Sequence, residues 1–204
     1  MNFAILASFI AVCLILSVSL KRQKKNARKE EQTFWERERL ANSVRRKPLD
    51  DLPFVNIPLE TFPTHILRED STVLECISIV EALTSQKVVN LTGYTNTDLK
   101  LEYGTANITV LSEYDQNYTI LVRTLQKWAD ILLESGYASE ACVLMEFAVS
   151  TGTDITRTYY SLADIYASRG DFQRIGDLIH TAETLRSSNK AVIVRTLNKK
   201  HPFI

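Results

Sequence analysis

Apolar residues recur at helical spacing in two consecutive stretches of the chain, at about 122–155 and 156–189. In the first stretch they stand at Leu125, Trp128, Ala129 and Leu132. The second stretch has Tyr159, Leu162, Ala163 and Tyr166 at the matching places. Large residues at i, i+3 and i+7 form one stripe on a helix, and alanine at i+4 lets a second helix approach closely. The pattern predicts a packed helix at the start of each stretch.

A glycine ends each predicted helix and sets the period. Gly136 and Gly170 are 34 residues apart, and glycine tolerates the positive φ that closes a helix. A second helical stripe follows each glycine, formed by Ala141, Met145 and Ala148 in the first stretch and by Ile175, Ile179 and Ala182 in the second. Each stretch is therefore predicted to be a hairpin of two helices, and a fixed period of this length indicates a helical-repeat fold.

This pair of hairpins resembles the tetratricopeptide repeat family over about residues 122–189. The chain departs from that family where Ile175 replaces a preferred alanine and where Thr153 and Ser187 replace the proline that closes each repeat. The resemblance implies an all-α array of two clear repeats with flanking capping helices, whose first helices line a concave, ligand-binding face. The whole layout is also similar to small bacterial membrane-anchored proteins with degenerate repeats of this type.

The resemblance also implies which side chains face a ligand. The matching positions are Arg123, Gln126, Asp130, Arg157, Tyr160 and Asp164. Arg123 and Arg157 are one period apart, so either is expected to bind a carboxylate of a peptide partner. The lysines and asparagines with which some relatives hold chaperone tails do not stand at these positions, which disfavours that ligand. Asp130 and Asp164 are interpreted as solvated residues of the face, because nothing near them in sequence suggests an acid or nucleophile partner.

Flanking segments are expected to cover the two hairpins, which bury little on their own. A helix is predicted at 71–87, opening on a Ser or Thr cap; a shorter one at 96–104 ends at Gly104, and a capping helix lies at 188–199. Residues 87–119 are rich in Tyr, Asn, Asp and Thr, which predicts turns and loops around the short helix. Two interpretations of these tyrosines stay open: a functional loop, or a seal for the edge of the array.

An uncharged apolar run occupies residues 3–20 and is followed directly by a basic segment at 21–47. A helix of that length spans roughly 27 Å, near the lower limit for the hydrocarbon core of a membrane. Basic residues after the run rather than before it favour an uncleaved transmembrane anchor at 1–20 over a cleaved signal peptide. The positive-inside rule then places the C-terminal domain in the cytoplasm, on a single-pass protein of the cell membrane.

Charge is balanced over the chain, with 24 basic and 24 acidic residues, but it is unevenly distributed. Residues 21–47 hold eleven Lys or Arg against four Glu, which gives +7 and leaves −7 for the remainder. This segment is predicted to be a juxtamembrane helix or stalk, whose charges either fix the topology or attract anionic headgroups. The acidic balance of the folded part argues against nucleic acid as a ligand.

Four regularly spaced prolines follow the basic segment, at Pro48, Pro53, Pro58 and Pro63. Proline removes a backbone donor and pushes the preceding residue toward extended geometry, so no helix is expected to cross this region. Apolar residues fall between the prolines, whereas a mere spacer would be polar. Residues 48–65 are therefore predicted to be an extended strap that packs along a helical domain at 66–204.

Motifs for catalysis or for cofactor binding are missing from the sequence. The three histidines lie far apart, the three cysteines are sparse, and no glycine-rich phosphate loop, GxSxG or HExxH occurs. We therefore predict no enzyme, no cofactor and no metal site. Three Asn-x-Thr sequons, at Asn90, Asn107 and Asn117, are interpreted as chance matches on a cytoplasmic domain.

Together these features predict a membrane-anchored, cytoplasm-facing scaffold that binds a protein or peptide on a concave face. One alternative is a structural component that assembles with itself or with a membrane complex and reads no peptide. Another, for a eukaryotic source, is an import receptor on the mitochondrial outer membrane. The sequence does not name the partner.

Overall fold

The computed structural model describes the backbone of residues 3–201 and the side chains of residues 16, 17 and 19–201. The described residues form eight α-helices and no β-strand, so this part of the chain is all-α, as predicted. The helices are α1 (Phe3–Ser43), α2 (Ser71–Thr84), α3 (Asn96–Tyr103), α4 (Ile108–Glu134), α5 (Ala138–Ser150), α6 (Thr156–Ser168), α7 (Phe172–Glu183) and α8 (Lys190–Lys200). Single 3₁₀ turns lie at Leu59–Thr61 and Thr105–Asn107.

The chain divides into two compact units. The N-terminal unit consists of Met1–Lys47 and Thr95–Asn107, and therefore contains α1 and α3. The array unit consists of Pro48–Tyr94 and Ile108–Ile204, and contains α2 and α4 to α8.

Ion pairs join the two helices of the N-terminal unit. Arg37 pairs with Asp98 at 2.5 Å, and Lys100 pairs with Glu38 at 2.9 Å. Thr95 caps α3 with a full capping box, in which its side chain and that of Asp98 each accept from the other's backbone N–H. The short α3 is thus held at its N-terminus and along the side that meets α1.

The predicted membrane anchor at 3–20 falls largely on residues 3–15 and 18, which lie outside the described side chains. In the remainder, no helix is both long and apolar enough to cross a membrane. The basic segment that follows residue 20 continues the same helix, which ends at Ser43.

Helix boundaries in the array unit repeat every 34 residues. Helices α4 and α6 end at residues 134 and 168, α5 and α7 begin at 138 and 172, and α6 and α8 begin at 156 and 190. Successive helices from α4 to α8 pack against one another, and α6 also packs on α8. The period therefore extends beyond the two predicted stretches to include α8, whose Ile193 and Leu197 are fully buried.

Buried residues follow the same period. Ala129 and Ala163 are both 0% exposed, as are Ala141 and Ile175 at the start of the second helices. Alanine allows close helix approach in the first pair, and the larger Ile175 is accommodated in the second. Fully burying one large apolar side chain contributes about 1.5–3 kcal/mol, so repeated burial at matched positions is the main stabilising term of the array.

Glycines close the helices as the sequence predicts. Gly136 and Gly170 have φ of +86° and +72°. After α4, the Tyr137 N–H donates to the Leu132 carbonyl, and after α6 the Asp171 N–H donates to the carbonyl of Tyr166. Both turns thereby satisfy carbonyls at the helix end that would otherwise lack partners.

Two hydroxyl residues stand where the resembled family has proline, and both make the same local turn. The Ile155 N–H donates to Thr153 Oγ1 at 3.3 Å, and the Asn189 N–H donates to Ser187 Oγ at 3.1 Å. Side-chain acceptors of this kind position the chain for the next helix. The missing prolines therefore do not interrupt the period.

The cap predicted for α2 was wrong. We expected Ser71 or Thr72, but Asp70 is the N-cap, and its carboxylate accepts from the N–H groups of Thr72 and Val73 at 2.7 and 3.1 Å. An ionised carboxylate at a helix N-terminus is also favoured by the helix dipole. These hydrogen bonds hold the pKa of Asp70 below its ordinary value.

The loop prediction for residues 87–119 was wrong at its C-terminal end. Residues 96–103 form the expected short helix, but α4 begins at Ile108 and continues without a break through the predicted start near 122. Buried Leu111, Tyr118 and Leu121 anchor this extension. Tertiary burial outweighs the low helix propensity of the Asn, Asp and Thr residues between them.

The proline-spaced segment belongs to the array unit and contains no α-helix, only turns at residues 50–51 and 64–65 and the 3₁₀ turn at Leu59–Thr61. Its Val55 N–H donates to the Val88 carbonyl at 2.8 Å, and Phe54 forms an isolated antiparallel bridge with Val89. Ile57 and Phe62 belong to the core cluster. This segment is therefore part of the array's packing.

Candidate functional site

The face of α4 and α6 carries a connected set of polar side chains. Gln126, only 8% exposed, donates from Nε2 to Asp130 Oδ1 at 2.8 Å and accepts from Thr158 Oγ1 at 2.5 Å. Arg157 Nε donates to the same Asp130 oxygen at 2.9 Å. One carboxylate and one amide therefore tie the first helix of one hairpin to the first helix of the next.

A second polar contact continues this connection from α6 to α8. Lys200 Nζ lies 2.9 Å from each oxygen of Asp164 and 6.0 Å above the ring of Tyr160. The Tyr160 hydroxyl points to the Val192 carbonyl at 3.5 Å, which is too long for a strong hydrogen bond. These side chains form a polar row across α4, α6 and α8, which begin or end one period apart. Its members are Gln126, Asp130, Arg157, Thr158, Tyr160, Asp164 and Lys200.

Five of the six predicted ligand-facing residues already have partners within the protein. Arg123 is the exception: it is exposed, and no hydrogen bond or ion pair joins it to another described residue. Asp130 is 22% exposed and paired with Arg157, and Asp164 is 59% exposed and paired with Lys200, so both aspartates reach water and each has a cationic partner. Thr158 and Lys200 belong to this row but escaped sequence reasoning, because their partners are more than 30 residues away.

A different cluster converges on Glu146, at the junction of α5, α6 and α7. Glu146 Oε1 accepts from Cys142 Sγ at 2.8 Å, from the Tyr166 hydroxyl at 2.9 Å and from Arg174 Nη2 at 2.7 Å. The Arg174 guanidinium also lies 4.4 Å from the centre of the Tyr166 ring. Three donors on one oxygen make this carboxylate a structural junction between adjacent hairpins.

The pKa values in the Glu146 cluster follow from burial and hydrogen bonding. Burial raises the pKa of Glu146, but donation from Cys142, Tyr166 and Arg174 outweighs it and leaves that pKa below its ordinary value. Burial, together with the neighbouring carboxylate, raises the pKa of Cys142 to about 12. A thiol held neutral in this way is a poor nucleophile, so the cluster is not arranged for covalent catalysis.

A pocket of about 560 Å³ opens between the extended segment, the turn at residues 90–94 and the loops that follow α5 and α7. Its lining includes Phe54, Tyr94 and Phe147, the backbone at Gly152, and Arg186. A volume of this size falls within the range of small-ligand sites. Sequence reasoning did not find the pocket, since its walls come from segments about 30 to 130 residues apart, although the tyrosine-rich region was noted.

Metal or disulfide chemistry has no site within the described residues. No group of three or more His, Cys, Asp or Glu side chains there is arranged to hold a metal ion. Cys76 and Cys142 are both free and buried.

Comparison with protein-family models, with curated proteins and with solved structures finds no match to this chain. The class to which the described residues belong is therefore given by their own geometry: an all-α, helical repeat-like array.

Proposed function

We propose that the array unit is a tetratricopeptide-like scaffold that binds a protein or peptide partner on the face formed by α4, α6 and α8. We place it in a chain that residues 3–20 anchor in a membrane, with the array on the cytoplasmic side. The observation that carries this proposal is the 34-residue repetition of helix boundaries, glycine turns and buried positions. Stacked units of this kind form extended surfaces that bind other proteins.

The polar row on this face supports recognition of a defined partner. Asp130 and Asp164 are neutralised by Arg157 and Lys200, so neither carboxylate repels an acidic ligand. Arg123 stands one turn before Gln126 on the same helix and keeps its guanidinium free of carboxylate partners in the described chain. A free guanidinium beside fixed polar groups is suited to bind a carboxylate of a peptide in a bidentate manner.

The experiment is a charge reversal at Arg123 in the full chain. Arg123→Glu is expected to abolish chemical crosslinking of a partner in native membranes and to leave the helical content measured by circular dichroism unchanged. Arg68→Glu, at another exposed arginine outside the face, is the matched control and should retain the crosslink. Equal loss in both variants, or no loss in Arg123→Glu, would exclude the face as the binding surface.

Arg157 is a less suitable site for this test than Arg123. Its Nε lies 2.9 Å from Asp130, so Arg157→Glu places two carboxylates together and destabilises the row itself. Loss of the partner in that variant would not separate binding from folding. Arg123→Glu avoids this problem because no carboxylate of the described residues pairs with Arg123.

The three glycosylation sequons support a cytoplasmic location. Asn107 is fully buried and its Nδ2 donates to the carbonyls of Lys47 and Tyr103 at 2.7 and 2.8 Å. Asn117, 9% exposed, donates to a backbone carbonyl at 3.0 Å, and Asn90 Nδ2 donates to three oxygens. A glycan on any of these nitrogens is incompatible with its contacts.

Expressed in eukaryotic cells, the full chain is expected to show no change in electrophoretic mobility after endoglycosidase treatment. A mobility shift would contradict the proposed topology.

Self-association is a second candidate function, favoured by the surface of α8. Val192 is 52% exposed, and a neighbouring groove of about 440 Å³ is lined by Ala191, Val194 and the stems of longer side chains. The end of a repeat array normally presents a polar face to water. A second copy packed on α8 predicts a dimer by light scattering that Val192→Glu converts to a monomer; a wild-type monomer would exclude it.

A further inference from the structure

We propose that the pocket bounded by Phe54, Tyr94 and Arg186 is a binding site for a small organic anion that carries an apolar or aromatic portion. It is distinct from the α4, α6 and α8 face and does not depend on the function proposed for that face. The proposal rests on which charges surround the pocket, on how they are held, and on the rigidity of its walls.

Arg186 is the only charged side chain among the described residues that line the pocket. Its guanidinium lies 4.7 Å from the centre of the Tyr94 ring and has no acidic partner in the described chain. Stacking on an aromatic face holds the guanidinium in place and leaves its N–H donors available. The pocket therefore presents an oriented donor group suited to a carboxylate or a similar anion.

A second cation is held in the same manner at Phe54. Lys87 Nζ lies 4.4 Å from the centre of the Phe54 ring, and this ring lines the pocket. By contrast, Lys127 and Arg174 of the array unit pair with carboxylates, those of Glu75 and Glu146. Two cations that rest on the aromatic rings of one pocket, without carboxylate partners, make this a region where an incoming anion would meet unneutralised positive charge.

Two carboxylates that contact segments of the pocket wall are occupied by internal hydrogen bonds. Asp154 accepts from Ser187 Oγ and from Asn189 Nδ2, and Asp115 accepts from the Leu91 N–H at 3.0 Å. Neither residue lines the pocket.

Hydrogen bonds and close backbone packing hold the walls of the pocket in place. Asn90 Nδ2 donates to Tyr118 Oη, to the Thr151 carbonyl and to the Gly152 carbonyl at 2.9–3.0 Å. A Cβ at Gly93, where φ is +88°, would lie 2.6 Å from Arg186 Cβ. The Gly93 turn and the Arg186 loop therefore pack in direct contact, which fixes the stacking of Tyr94 beneath the guanidinium.

The apolar walls define the rest of the ligand. Phe54 and Phe147 bound the pocket together with Val55 and Leu185, while exposed Thr184 and Ser150 supply hydroxyls at its edge. A compact molecule with one aromatic ring and one carboxylate matches this arrangement.

The competing role for Arg186 is structural. The pocket lies beside the C-terminal ends of α5 and α7, each of which carries about −0.5 elementary charge that a nearby cation offsets. In that case replacing Arg186 lowers stability but changes no ligand affinity. The two roles are separated by measuring affinity and stability on the same variants.

The test uses the full chain and three probes of equal size, phenylpropanoate, phenylpropanol and phenylpropylammonium. Binding is followed by the amide resonances of Gly93 and Gly152, with Gly136 as an internal reference outside the pocket. Phenylpropanoate is expected to shift the Gly93 and Gly152 resonances until the site is saturated. Phenylpropanol is expected to bind about tenfold more weakly, and phenylpropylammonium is expected not to bind. Binding of the ammonium compound in preference to the carboxylate, or no saturable shift with any probe, would overturn the proposal.

Two variants at the pocket, with a third outside it as a control, test whether the charge of Arg186 binds the anion. Arg186→Gln is expected to lower the affinity for phenylpropanoate about tenfold, whereas Arg123→Gln, on the α4 face, should leave this affinity unchanged. Asn56→Asp keeps the shape of an exposed lining residue and adds a negative charge. It should therefore lower the affinity for phenylpropanoate, and this test remains even if Arg186→Gln fails to fold. Unchanged affinity in Asn56→Asp and in a folded Arg186→Gln would assign Arg186 the structural role alone.

Discussion

Asp130 and Glu146 of the first copy of the 34-residue unit, 122–155, are sheltered where they meet the second copy, 156–189, whereas the residues at the matching positions of the second copy are exposed. Asp130 is 22% exposed in its ion pair, while Asp164, one period later, is 59% exposed. Glu146 accepts three hydrogen bonds, while the matching His180 is 83% exposed and only approaches Glu183 at 3.7 Å.

The position of a residue along the array, rather than its place in the repeat, therefore decides how buried a polar side chain is and what it contacts. The first copy lies between α2 and the second copy, so both of its sides are covered. The second copy lies between the first copy and α8, yet its Asp164 and His180 remain largely in water. Matched substitutions in the two copies measure this difference.

Core truncation should have the largest effect. Trp128 and Leu162 are matched and both fully buried, so Trp128→Ala is expected to cost about 3–5 kcal/mol and Leu162→Ala about 2–5 kcal/mol of unfolding free energy. Urea unfolding followed by circular dichroism measures both. Because Trp128 Nε1 lacks a hydrogen-bond partner among the described residues, Trp128→Phe should cost much less than the alanine variant. A loss below about 1 kcal/mol for Trp128→Ala would show that the first copy is not part of one core.

Glycine replacement should affect both copies equally. Gly136 and Gly170 have positive φ, and a Cβ at either would meet nothing within 4 Å. Only backbone strain is therefore added, so each alanine variant should lose about 1–2 kcal/mol. Equal losses in thermal or urea unfolding support one shared turn; a loss in only one copy would contradict it.

Acid sensitivity should separate Glu146 from its counterpart His180. The folded-state pKa of Glu146 lies below the ordinary 4.5, so its stabilising contribution is complete above about pH 4.5 and is lost as pH falls through the folded value. Glu146→Gln should reduce stability by on the order of 1 kcal/mol at neutral pH, a figure already lowered for solvent screening, and flatten the dependence below pH 4.5.

The matched control is His180→Gln, which should change stability by less than about 0.5 kcal/mol because the side chain makes one weak exposed contact. Urea unfolding at several pH values compares the two. An unchanged acid dependence in Glu146→Gln would contradict the role of this carboxylate as a junction.

The smallest effect is expected at the paired aspartates. Asp130→Asn should cost more than Asp164→Asn, with both within about 0–1 kcal/mol, since exposed ion pairs contribute little and Asp130 is the more sheltered. Raising the salt concentration should reduce the Asp164 contribution further. Equal losses would show that the difference in exposure has no energetic consequence.

Local signals were read correctly wherever one residue type decides the backbone. Gly136 and Gly170 mark turns with positive φ, and the alanines at 129 and 163 lie at close helix contacts. The start of α4 was missed because residues 108–119 have weak helix propensity, and burial of Leu111 and Tyr118 decides their conformation. The Asp70 cap was missed because several adjacent polar residues are equally suited to cap.

The candidate sites divide in the same way. The sequence pointed to Arg123 and Asp130 through a resemblance, yet Thr158 and Lys200, which complete the polar row, come from distant positions. The pocket at Arg186 depends on the Gly93 turn, which lies more than 90 residues earlier. Contacts across such separations carry no periodic signal.

The sequence by itself determined the helical class, the 34-residue period and the positions of the glycine turns, because each follows from spacing or from the conformational freedom of one residue. The tertiary structure alone decided which polar groups are free. Asp130, Glu146 and Arg186 are all charged residues of ordinary appearance in the sequence. Helix packing brings Tyr166 and Arg174 to Glu146 and Arg157 to Asp130, whereas the packing of two loops brings the Tyr94 ring to Arg186.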